Sequence, residues 1–222
     1  MYRNVIKIPA HSSSLRKKSK PFPPASEWTT KETSVIEDLQ DTFSVLQGYG
    51  LAAPQIGLFM RAVVISPRAL GLGSNESLVM INPVLELSGK EQKNEEACFS
   101  VPHVSARVKR SESCSVRYTS ISGKEQEVEF NGFPAACVQH EVDHLDGLLF
   151  LDRVGSAWRG ILMNKIRKKE KKILSAKKAA QEEFDNEHRS LHEDVDSRKK
   201  ITHSKKRKAK SRKKRPRRSK KK

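Results

Sequence analysis

No stretch of this sequence approaches the roughly 20 consecutive apolar residues that a membrane-spanning helix requires, so transmembrane helices are excluded and no membrane partner is expected. Cysteine is scarce. Cys98, Cys114 and Cys137 form an odd set, too small for a disulfide framework and suited to a reducing compartment. Acidic residues are missing from both ends of the chain. Residues 1–26 contain none, and residues 198–222 contain none while holding 17 of the 44 Lys and Arg. Residues 1–197 therefore carry 27 basic residues against all 26 acidic ones, and the net charge of +18 describes a tail and not a domain. The run "KKRKAKSRKKRPRRSKKK" has no aromatic residue. That argues against sequence-specific reading of single strands and leaves non-specific phosphate contact as the natural role, against a solubility tail or a localisation signal as bland alternatives.

The 222 residues fit one well-buried domain plus an extension. Residues 1–28 read as an extended, Pro-rich entry segment. Thr29 and Glu32 make a capping box, and Ile36, Leu39, Phe43 and Leu46 follow at helical spacing until Gly48 and Gly50 end the run. "MRAVVIS" and "SLVMINPVLEL" read as strands separated by the "GLGSNES" turn. "ARVKRSESCSVRYTSISGKEQEVEF" reads as a hairpin turning at Ser122–Gly123. Pro134 then opens a helix that Gly147 terminates. "LLFLDRV" is a short strand or turn. A long charged helix is expected over 156–185, with Trp158, Ile161, Leu162 and Ile166 on its packed stripe. There is no internal repeat. The expected organisation is a folded domain over 1–165, a charged helical extension over 166–197 and a disordered Lys/Arg-rich tail over 198–222.

The stretch "VQHEVDHLDG" carries the chemistry. On a helix His140 and His144 share a face and converge on one ion. Glu141, beside the first histidine, is placed to take a proton from a water held by the ion. A pair of exposed or core histidines is the plain alternative, and Glu141 tips the balance away from it. A catalytic site usually takes three protein ligands and keeps one open position. Cys137, three residues before His140, and Cys98, in "EEACFSVP", both remain open as the third, while Cys114 sits in mid-strand as a buried thiol.

Three stretches, "GYGLAAPQIG" (48–57), "EEACFSVP" (95–102) and "QHEVDHLDG" (139–147), resemble the three signature motifs of the peptide deformylase family, in order. The resemblance covers roughly residues 3–165 and includes "LRKKSKPF" (15–22). It implies an α+β fold of antiparallel sheets packed around a central metal-binding helix, with a long C-terminal helix. It also implies removal of the formyl group from the N-terminal formyl-Met of nascent chains. Cys98 becomes the third ligand beside His140 and His144, and Glu141 the catalytic carboxylate. Gln55 becomes the amide that steadies the oxyanion, helped by the Phe99 backbone N–H. The family usually has glycine before the metal-binding cysteine; Ala97 stands there, which narrows the cleft and points to tuned specificity.

Hydrolysis of a formamide needs a nucleophile, oxyanion stabilisation and a proton for the leaving amine. A divalent ion brings a bound water's pKa towards about 7, giving a hydroxide that attacks the formyl carbon while Glu141 relays the proton. An oxyanion donor such as Gln55 contributes about 2.7–4 kcal/mol. The soft thiolate suits Fe2+ and Zn2+ alike, and the resemblance points to Fe2+. Gly48 and Gly50, beside small neighbours, read as a wall of the peptide site, with Ala97 and Phe99 as further substrate contacts. Met60, Leu78 and Phe133 are apolar candidates for a methionine pocket, each weighed against core packing.

The basic tail, with Lys205, Lys206, Arg207, Lys208, Arg212, Lys213, Lys214 and Arg215, is expected to meet ribosomal RNA. A HExxH metallopeptidase is one rival, disfavoured by Cys98 and Gln55. An inactive deformylase-like RNA-binding module is another, disfavoured by the intact set of site residues. The acid-free N-terminus resembles an organellar transit peptide. Because the deformylase-like segment begins within the first few residues, a bacterial-type cytosol, a virus of bacteria included, is the expected setting.

Overall fold

The computed structural model describes residues 1–71 and 76–212, with side chains described as far as residue 185. The chain divides into two units, Met1–Lys169 and Glu170–Lys222. In chain order the elements are α1 (Ser12–Leu15), α2 (Thr30–Val45), β1 (Gly50–Ala52), β2 (Ala62–Ile65) and α3 (Pro67–Leu70). They continue with β3 (Leu78–Cys98), β4 (Val101–Thr119), β5 (Glu125–Asn131), α4 (Phe133–Leu145) and α5 (Ser156–Arg212).

The α+β class is as expected, but the strands form one antiparallel sheet of order β1-β2-β3-β4-β5, not several. What lets one sheet wrap the helix is the long β3–β4 ribbon. Its register shifts between Ile81 and Val84, between Ser88 and Glu91, and between Glu96 and Cys98. Each extra residue bends a ribbon and raises its twist. The polar stretch from Ser88 to Glu96 gave no strand signal, because most of its residues are exposed and no apolar alternation marks it.

The Thr29–Glu32 capping box opens α2, with the Thr29 N–H donating to Glu32 Oε2 at 3.0 Å. Val35, Ile36, Leu39 and Phe43 bury its inner face against Leu51, Val64 and Ile81. The first predicted strand is followed by α3, capped by Ser66, whose hydroxyl accepts from the Ala69 N–H; residues 72–75 of the expected "GLGSNES" turn lie outside the described residues. The expected hairpin joins β4 and β5, with Gly123 at φ 79° in its turn. Pro134 stands in the first turn of α4, and Gly147 follows its end at φ 73°. "LLFLDRV" is a 3-10 turn over Phe150–Asp152. Phe150 packs with Val101, Val108, Leu162 and Ile166 in one cluster.

On α5, Leu162 and Ile166 are buried as expected, whereas Trp158 and Ile161 are 50% and 55% exposed. The apolar stripe is thus narrower than its sequence spacing suggests. The helix also runs past residue 198, where disorder was expected. No Gly or Pro interrupts residues 198–212, and Lys, Arg and Ala are good helix formers. The backbone of Lys205, Lys206, Arg207, Lys208 and Arg212 lies on this helix. Lys213, Lys214 and Arg215 lie outside the described residues. No helix among the described residues is long and apolar enough to cross a membrane.

Candidate metal centre and active-site cavity

Nearly all of α4 is buried, because the sheet covers it and its own small residues, Ala135, Ala136 and Val138, permit close approach. His140 and His144 lie one turn apart, their ring centroids separated by 5.0 Å. The third member comes from the last residue of β3. Among the described residues, Cys98, His140 and His144 form the group of possible ligands, their donor atoms all within 4.8 Å of one another. Cys98 Sγ lies 3.3 Å from His144 Nε2. A tetrahedral ion bound by thiolate and imidazole sets those atoms about 3.5 Å apart, so the donor set fits one divalent ion. The choice left open in the sequence falls to Cys98. Cys137 stays a thiol: burial, helped by the Glu141 and Glu96 charges, pushes it up to about 12.

The two histidines are oriented differently. His140 Nδ1 sits 2.7 Å from Glu96 Oε2, which directs Nε2 at the site. His140 also stacks on Phe150 at 6.3 Å. His144 Nδ1 is buried without a partner. Glu96 is gripped by the Arg110 fork, Nε to Oε1 at 2.7 Å and Nη2 to Oε2 at 2.8 Å. Burial raises the Glu96 carboxyl, but Arg110 and His140 outweigh it and hold it down at about 2. Arg110 reaches on to Asp143, which Arg153 clamps from the far side. Sequence reasoning missed these four residues. The one available signal was the carboxylate pair Glu95–Glu96 just ahead of Cys98, since a ligating histidine commonly donates its second N–H to a carboxylate.

Gln55 closes the site on the β1 side. Its Oε1 accepts from the Ala52 N–H at 2.8 Å, and its Nε2 lies 3.3 Å from both Cys98 Sγ and Ser100 Oγ. The entry segment straps the same region from outside: the Ile6 N–H donates to the Gln55 carbonyl and the Ile8 N–H to the Ser100 carbonyl. Glu141 is buried, and its Oε2 has no partner. Burial pushes its carboxyl up to about 7, which suits a group that must both accept and release a proton near neutrality.

A cavity of about 380 Å³ opens onto these groups, lined by Gln55, Cys98, His140 and Glu141 and by Gly48, Gly50, Ala97 and Phe99. The glycines have a reason beyond forming a wall. A Cβ on Gly50 would stand 2.6 Å from Glu141 Oε1, and one on Gly48 would stand 2.5 Å from the Phe99 ring. Of the three apolar residues considered for a methionine pocket, Phe133 lines the cavity, edge-on to Tyr49 at 4.9 Å. Leu78 instead packs with the core between sheet and α4, and Met60 with the α2 core. Neither lines the cavity.

Comparison with known proteins agrees with this geometry. The model of the polypeptide deformylase family matches residues 2–159. A peptide deformylase from Bartonella tribocorum is 35% identical over 171 residues, covering 76% of this chain and 93% of the relative. The crystal structure of a peptide deformylase from Legionella pneumophila is 33% identical with a TM-score of 0.68, covering 77% of this chain and 96% of that one. A Met-Ala-Ser-bound class I type b peptide deformylase from Acinetobacter baumannii is 32% identical with a TM-score of 0.62, covering 69% and 99%. Three sequence motifs that fold onto one cavity, and a family match across that whole folded region, lead to one conclusion: the chain belongs to the polypeptide deformylase family.

Proposed function

We propose a division of labour for a chain whose activity is metal-dependent removal of the formyl group from formyl-methionyl peptides. Cys98, His140 and His144 hold one divalent ion, with Fe2+ the native metal and Zn2+ the alternative, since one thiolate and two imidazoles accept both. When bound, the ion supplies Lewis acidity, polarising a carbonyl and making a water acidic at neutral pH. Glu141 takes the proton of the attacking water and returns it to the nitrogen of the departing peptide. The Gln55 amide, tethered through its Oε1, turns an N–H towards the developing oxyanion, and the Phe99 N–H joins it. Gly48, Gly50, Ala97 and Phe99 flank the bound peptide.

The observation that carries this reading is the ligand trio beside a buried carboxylate whose Oε2 has no protein partner. The test is formate release from a formyl-Met peptide by protein purified without oxygen, with metal content measured in parallel. Equal formate and free amine, with about one Fe2+ per chain, is the expected result. Metal-loaded protein that releases no formate overturns it. The tail, Lys205 to Lys208 and Arg212 to Arg215 included, is assigned to ribosomal RNA on charge alone, in a cytoplasmic setting.

A further inference from the structure

We infer that Arg153 is a positioning residue for the metal centre, holding His140 in its ligating orientation through Asp143, Arg110 and Glu96. The inference rests on the metal site proposed above. Its basis is an unbroken series of charged contacts from the surface to a ligand. Arg153, just past the Phe150–Asp152 turn, donates from Nε and Nη2 to the two oxygens of Asp143. Asp143 lies on α4 between the two histidines, and its Oδ2 also accepts from Arg110 Nη1. The remaining edge of Arg110 grips both oxygens of Glu96, and Glu96 Oε2 meets His140 Nδ1 at 2.7 Å.

Charge explains why the outer member matters. Asp143 and Glu96 are two buried carboxylates, and Arg110, almost fully enclosed, touches both. One guanidinium cannot neutralise two carboxylates; Arg153 supplies the second positive charge. Without it, Asp143 is left with half its pairing in a poorly solvated place, which is costly. Arg110 is then drawn towards Asp143 at the expense of its fork on Glu96. Glu96 loses its fixed plane, and with it goes the contact that sets the His140 ring. A nearby ion pair provides a built-in control. Arg61 Nη1 bonds Asp146 Oδ1 at 2.7 Å at the end of the same helix; the Asp146 N–H meets the Asp143 carbonyl, but among the described residues no side-chain contact connects that pair to Glu96.

The experiment loads full-length wild type, Arg153→Gln, Arg153→Lys and Arg61→Gln with Zn2+ and follows release to excess chelator. The Co2+-loaded forms report ligand geometry by their absorption. Arg153→Gln should release Zn2+ about tenfold faster and shift the Co2+ bands, the scale expected when an outer partner of a ligand is lost. Arg153→Lys should fall between, because an ammonium cannot fork onto both oxygens. Arg61→Gln should match wild type. Unchanged release in Arg153→Gln overturns the inference, and so does equal acceleration in Arg61→Gln, which would mean only a loosened helix end. Should Arg153→Gln fail to fold, wild-type release and spectrum in Arg153→Lys would overturn it as well. Wild-type protein that binds no metal overturns the metal site and this inference together.

Discussion

Gly50→Ala tests whether the Glu141 carboxylate is placed by packing alone. The added Cβ would stand 2.6 Å from Oε1, 2.7 Å from Cγ and 2.9 Å from Cδ of Glu141. Ordinary contact needs about 3.5 Å, so something must withdraw by close to 1 Å. The backbone is poorly able to do so: Gly50 pairs with Ile65 in the sheet, and both are buried. The carboxylate is the softer element, since its Oε2 has no hydrogen bond to hold it. A displacement near 1 Å at a reacting group costs roughly 100-fold in rate, or about 2.7 kcal/mol of barrier. The ligands are untouched, so metal content should stay at the wild-type level. The assay is kcat for formate release from a formyl-Met peptide, with bound metal measured on the same preparation. A folded, metal-replete variant with kcat within about threefold of wild type would refute the reasoning.

Cys98→Ser should lose bound metal and Cys137→Ser should keep it; elemental analysis showing the reverse would sink the ligand assignment. Glu141→Gln should retain the ion while losing nearly all turnover, because an amide cannot relay the proton; near-normal turnover at saturating substrate would remove Glu141 from that role. The same variant has a stability signature in metal-free protein. The folded Glu141 carboxyl sits near 7 against an ordinary 4.5, so its protonated form is the one the fold favours. Its contribution is intact below pH 4.5 and is lost as pH rises through 7, a swing of about 3 kcal/mol. Denaturant unfolding should therefore find metal-free Glu141→Gln more stable than wild type at pH 8 and no different at pH 4. Deleting residues 198–222 should leave turnover of a short formyl peptide unchanged while weakening ribosome binding. Full-length binding should fall steeply with salt, and affinity indifferent to either change would dismiss the tail as an RNA contact.

The parts of the site legible in the sequence are those whose chemistry is local. The His140–Glu141–His144 spacing is a property of one helical turn, and the Thr29–Glu32 cap of another. Choosing Cys98 over Cys137 needed the family resemblance, because the deciding fact is a packing of β3 against α4. Arg110, Asp143 and Arg153 were invisible for a stronger reason. Each is an ordinary charged residue in sequence, and Arg110 meets Asp143 across 33 positions. Only burial separates it from exposed arginines such as Arg3 and Arg117. Gly48 and Gly50 were noticed as turn formers, yet the space they leave is taken by Phe99 and Glu141. The Trp158–Ile161 side of α5 fails in the opposite sense: apolar residues at helical spacing that the fold does not cover.

Cys98 stands at the very tip of the β3–β4 ribbon, paired with Val101 across the turn and 46 positions before His144. Contacts of such separation form slowly, because loop-closure entropy must be overcome before they contribute. The ligand trio therefore requires both a paired ribbon and a docked α4. Side chains alternate along a strand, so a ribbon misaligned by a single residue would swing Cys98 to the opposite face. Such a misfolded ribbon loses few backbone hydrogen bonds but cannot hold an ion. Metal binding at this trio therefore depends on strand alignment, since only a ribbon whose tip is laid down in the observed register presents all three donors together.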